Sequence, residues 1–85
     1  MKQWTSKEIA TACGKGHHRV VEKIKYYIAR EDAFRRLVKE GGDDGSPYVL
    51  PRGAVIYIVK RFEKVEKEWW DNLGIKFTLE DHLRN

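Results

Sequence analysis

The stretch Trp4-Thr5-Ser6-Lys7-Glu8-Ile9-Ala10, continued after Thr11-Ala12-Cys13 by Gly14-Lys15-Gly16-His17-His18-Arg19-Val20, decides the fold. Thr5 and Glu8 stand at capping-box spacing, where each side chain satisfies a backbone donor that a helix start leaves open. A first helix follows and buries Ile9, Ala10 and Cys13, and Gly14 is placed to end it in a left-handed conformation. After Lys15-Gly16 a second amphipathic run begins. Val20, Val21, Ile24, Tyr27 and Ile28 fall within about 120° of arc at helical period. His18, Arg19, Glu22, Lys25 and Tyr26 occupy the opposite face.

Two short helices joined by a tight glycine turn, the second basic on its outer face, form a helix-turn-helix pattern. In that arrangement the first helix braces on the nucleic-acid backbone and the second presents side chains to base edges in the major groove. Ala10 is small where the two helices must approach closely. The turn Gly14-Lys15-Gly16 is one residue longer than the tightest version, because Val21 and Ile24 supply the inward face. On this reading Lys15 and Lys23 contact phosphates and Arg19 makes a bidentate guanine contact. His18 and Tyr26 reach base edges or phosphates, and Glu22 and Lys25 complete the DNA-facing set. His17 projects near the apolar side at the helix start, where it either holds the second helix in place by a hydrogen bond or contacts a phosphate.

Charge points the same way. The 85 residues carry 17 Lys+Arg against 13 Asp+Glu, a net +4. The excess sits in residues 1–30, which alone carry +5. A basic block inside an apolar-periodic segment suits an anionic partner, with nucleic acid foremost; a solvated helix face without a ligand is the plainer alternative.

The rest of the chain builds a small domain around this hairpin. A third helix is expected over Glu31 to Glu40, with Ala33, Phe34, Leu37 and Val38 inward. Gly41-Gly42-Asp43-Asp44-Gly45-Ser46-Pro47 cannot sustain a helix and reads as a hairpin tip or wing. Whether residues 41–50 form a DNA-contacting wing is left open. Tyr48-Val49-Leu50 reads as a short strand. Residues 54–59 fit strand or helix, and the helical stripe Val55, Ile58, Val59, Phe62, Val65, Trp69 and Leu73 favours one long helix over residues 54–73. Pro51 before it and Gly74 after it match the usual punctuation. Five turns span about 30 Å, longer than so small a domain needs to cover. Phe62, Val65, Trp69, Trp70 and Leu73 are therefore expected to meet a second copy, giving a homodimer, or a host or phage protein; packing of the stripe across the two small helices to complete the core is the plainer alternative. The expected fold is mainly α with a small β element, a winged helix-turn-helix-like domain over residues 1–74 with a tail over 75–85. In that tail either residues 75–79 form a last strand or Thr78 caps a final turn.

At this size a chain buries only about 60–65% of its unfolded surface, which excludes an enclosed cofactor cleft. No enzyme, cofactor or metal is expected. Cys13, His17, His18 and His82 are a poor zinc set, because Cys13 faces inward at a helix end and a fourth ligand is remote. One cysteine forms no internal disulfide, and no signal peptide or long apolar span stands out, so an intracellular soluble protein is expected, with no membrane partner.

The segment Thr5-Ser6-Lys7-Glu8-Ile9-Ala10 with Gly14-Lys15-Gly16-His17-His18-Arg19-Val20 resembles the N-terminal module of phage regulatory proteins of the Rha type and related phage antirepressors. Their pattern is T-S-x-E-I-A, a few residues, then G-K-x-H-x-x-V. Tyr48-Val49-Leu50-Pro51-Arg52-Gly53-Ala54 resembles their later segment more loosely, and the likeness spans residues 4–62. It implies a winged helix-turn-helix that binds double-stranded DNA and regulates phage or prophage genes in the bacterial cytoplasm. Lys15, His17 and Val20 stand at matching positions. The middle segment is short for a full two-stranded wing, and the Trp-rich end has no counterpart in that pattern.

Overall fold

A computed structural model describes residues 2–39 and 47–76. The chain runs β1 (Gln3–Thr5), α1 (Ser6–Cys13), α2 (His17–Arg30), α3 (Asp32–Leu37), β2 (Val49–Pro51), α4 (Arg52–Val59) and α5 (Lys67–Leu73). The fold is mainly helical with one small antiparallel sheet, in which Gln3 faces Pro51, Trp4 faces Leu50 and Thr5 faces Val49.

Each end of α1 follows from its sequence. The Thr5 hydroxyl accepts from the Glu8 amide at 3.1 Å, and the Thr5 amide donates to Glu8 Oε1 at 2.9 Å. This is the reciprocal capping box. At the other end Gly14 takes φ 63°. Its amide donates to the Thr11 carbonyl, and the Lys15 amide to the Ala10 carbonyl at 3.0 Å. That is the Schellman pattern, which needs the left-handed glycine. Gly74 repeats it after α5, with φ 73° and the Ile75 amide donating to the Trp70 carbonyl at 2.9 Å.

The core gathers one face of each element. Ile9, Val20, Ile24, Leu50, Ala54, Val55, Ile58 and Val59 are fully buried, with Phe34 close behind. Residues 54–59 are helical, within α4. Strand β1 was not foreseen. It is held because Trp4 is buried and its indole Nε1 donates to the Leu73 carbonyl at 2.9 Å, tying the start of the chain to the end of α5. The third helix is shorter than expected. Val38 turns extended, still buried, and Lys39 exchanges two backbone hydrogen bonds with Val49; α3 turns Phe34 inward and leaves Ala33 and Leu37 exposed, against expectation.

The single helix over residues 54–73 is not observed. Helix α4 ends at Val59, the chain turns through residues 60–66 with Lys64 at φ 54°, and α5 begins at Lys67. The physical reason is burial. A straight helix would carry its last two turns off the domain, whereas the break folds α5 back against α1, burying Trp69, Trp70 and Leu73, with the Leu73 carbonyl bonded to Trp4 of β1. Burying two indoles contributes roughly 5 kcal/mol each, and a left-handed lysine costs only about 1–2 kcal/mol. Ile75, one residue past the expected domain end, is also buried.

Of the proposed wing, residues 40–46 lie outside the described residues, as does the tail beyond Lys76. Val49 pairs with Thr5 and, through one isolated bridge, with Lys39. Among the described residues no helix is long and apolar enough to cross a membrane.

Candidate nucleic-acid interface

Helices α1 and α2 pack directly on each other across the turn Gly14-Lys15-Gly16. Beyond the shared apolar contacts, one polar bond fixes the pair. The Ser6 hydroxyl, fully buried at the first turn of α1, lies 2.9 Å from His17 Nε2 at the first turn of α2. His17 is thereby a positioning residue, turned into the seam between the helices and half-buried.

The outer face of α2 bears His18, Arg19, Glu22, Lys25, Tyr26 and Arg30, all exposed. A shallow open trough runs along this face from His18 to Arg30. His18 Nε2 lies 3.5 Å from Glu22 Oε1 in an i,i+4 pair whose side chains are both well exposed. Such pairs contribute well under about 1 kcal/mol and are easily opened. Arg19 and Lys25 make no side-chain hydrogen bond or ion pair among the described residues, so their donors are uncommitted. The helix starts at Gly16 without a side-chain cap.

The two lysines expected on phosphates are partly engaged within the domain. Lys23 Nζ donates to the Arg61 carbonyl at 2.9 Å and lies 4.8 Å from the centre of the Phe62 ring. Lys15 Nζ lies 5.4 Å from the centre of the Trp69 ring. Each ammonium keeps further donors, but both side chains also join α2 or its turn to the chain after α4.

The expected protein interface needs correction. Phe62, Trp69, Trp70 and Leu73 are buried inside this one domain, and only Val65 of the five is open, at 38% exposure. Trp69 meets Phe62 edge-to-face at 6.2 Å, and the Asn72 amide donates to the Ala12 carbonyl at 2.9 Å, pinning α5 onto α1. Phe62, Trp69, Trp70 and Leu73 complete the core of the one domain, as the plainer reading of the stripe has it.

Burial pushes the Cys13 thiol up to about 11, against a smaller lowering by Lys15. Its thiolate is disfavoured, which suits packing and not nucleophilic chemistry. Among the described residues no three His, Cys, Asp or Glu side chains are grouped to hold a metal ion; His82 lies outside them.

Sequence reasoning overlooked Arg30 and Arg61. Arg30 lies 3.8 Å from the centre of the Tyr26 ring, and Arg61 lies 3.4 Å from that of Tyr57. The signal was there, as Tyr26-x3-Arg30 and Tyr57-x3-Arg61 share one spacing, but neither arginine lay among the residues singled out on the outer face of α2. Comparison with protein families, with curated proteins and with solved structures yields no match.

Proposed function

We propose that this chain binds double-stranded DNA as a regulator of phage or prophage type, with α2 in the major groove. The observation that carries the reading is the outer face of α2, open along its length, with Arg19 and Lys25 uncommitted on a helix braced through a short glycine turn. A guanidinium held near the start of such a helix suits the two acceptors of a guanine edge. The uncapped N-terminus of α2 adds a positive dipole end and open amides that favour phosphate. The phage setting rests on the resemblance of the first motif. The winged form belongs to the same proposal, with the Lys39–Val49 bridge as the root of the wing.

The experiment is selection of bound fragments from a genomic DNA pool, followed by mobility shift of the chosen site and of random duplex. Arg19→Ala is expected to weaken the selected site by about 1–3 kcal/mol and random duplex far less. Equal losses on both would remove base reading from Arg19.

A further inference from the structure

The pattern Tyr-x3-Arg occurs twice, and both copies adopt the same local arrangement. On α2 the Arg30 guanidinium lies 3.8 Å from the centre of the Tyr26 ring, and its Nη1 donates to the Tyr26 carbonyl at 3.3 Å. After α4 the Arg61 guanidinium lies 3.4 Å from the centre of the Tyr57 ring, and its Nη1 donates to the Tyr57 carbonyl at 2.7 Å. An arginine held against a ring and tethered by one N–H has lost most of its rotamer freedom, while its other donors remain. Both arginines are exposed, and among the described residues neither is ion-paired.

The two units are also fixed relative to each other. Tyr27 sits between them, edge-on to Tyr26 at 5.0 Å and to Tyr57 at 5.6 Å, with Arg61 5.5 Å from its centre. The Lys23–Arg61 hydrogen bond ties the second unit to α2 a third time. At helical period Arg30 falls on the α4-facing side of the outer face, and the acid of that face, Glu22, pairs with His18 away from it. Two preset forks, each tethered to its own ring and both joined to Tyr27, match an anion that repeats along a line.

The geometry points to Arg30 and Arg61 as a two-pronged clamp for the phosphates of one DNA strand, alongside the groove that α2 enters. This rests on the DNA-binding reading above and deepens it. Guanidinium suits phosphate because its planar fork makes paired hydrogen bonds. The clamp also orients α2, placing its N-terminal half, with Arg19, at the bases and its C-terminal half against the backbone.

The test is fluorescence anisotropy of a labelled random-sequence duplex between 50 and 200 mM salt. Wild type is compared with the double variants Arg30→Ala/Arg61→Ala and Arg30→Lys/Arg61→Lys, each checked for fold by circular dichroism. Each lost phosphate contact removes about 0.9 from the slope of log affinity against log salt. The alanine pair is therefore expected to bind more weakly with a slope lower by about 2. Its deficit relative to wild type shrinks roughly tenfold between 50 and 200 mM. The lysine pair, keeping charge but not the fork, is expected to hold the wild-type slope at reduced affinity. Wild-type binding with an unchanged slope in the alanine pair would overturn the clamp and leave the role of α2 standing. Absence of wild-type binding to any duplex at 50 mM would overturn both.

Discussion

At the scale of single residues, the Ser6–His17 bond matters more than its size suggests, because it joins the first turns of the two helices. Removing either partner leaves the other with an unmet polar group in a buried or half-buried place. Ser6→Ala and His17→Ala are each expected to lower stability by about 1–2 kcal/mol, with the double variant little worse than either alone. Denaturant unfolding of the four proteins checks this, and strict additivity would show that the two side chains act independently. Cys13 supports a second prediction. Its thiol ordinarily ionises at 9.0 and is held up to about 11 in the folded protein. Between those values the unfolded chain sheds the proton first, so the contribution of Cys13 to stability is present below pH 9 and is lost as pH rises toward 11. Wild type should weaken over that interval by more than Cys13→Ala does. Parallel decline of the two in urea midpoints would contradict the burial effect.

At the scale of elements, the legible parts were those whose signals are local. Capping-box spacing fixed the start of α1, Gly14 and Gly74 marked two helix ends, and Val20, Ile24, Tyr27 and Ile28 of the apolar arc of α2 face the core, while Val21 at its edge is only half-buried. What failed was non-local. The stripe through residues 54–73 keeps helical period on both sides of the break, because Phe62, Trp69 and Leu73 still have to be buried after the chain turns. Periodicity records which residues are buried and not whether the path between them is straight. Strand β1 was equally hidden, since its partner β2 lies over 40 residues away in sequence. The place of Arg61 beside α2 was not legible because Tyr27 and Lys23, which it meets there, belong to another segment of the chain. The break itself can be tested at Lys64, whose φ of 54° is one that glycine adopts without strain. Lys64→Gly is expected to raise stability by up to about 1 kcal/mol. A loss of 1 kcal/mol or more, on the scale set for glycine placed inside a helix, would indicate that residues 60–66 are helical after all.

At the scale of the whole molecule, the domain uses its apolar residues internally and leaves its cations outside. Three tryptophans lie in one core, two of them at the end of the chain that looked most like an interface. Among the described residues, exposed cations lie along α2 and the turn after α4, beside the exposed Tyr26, Leu37 and Val65. On the proposed reading, the exposed cations along α2 set up the positive surface potential that draws a long anion to one side. Binding driven by phosphate contacts has a thermodynamic signature that protein–protein recognition through an apolar patch lacks, namely counterion release. The most direct measurement is the affinity of the wild-type chain for duplex DNA as a function of salt. Contacts from Arg30, Arg61 and the uncommitted cations of α2 predict a linear fall in log affinity with log salt. Its slope should be about −3 to −4. No detectable binding at 50 mM salt, or an affinity indifferent to salt, would contradict the DNA-binding account.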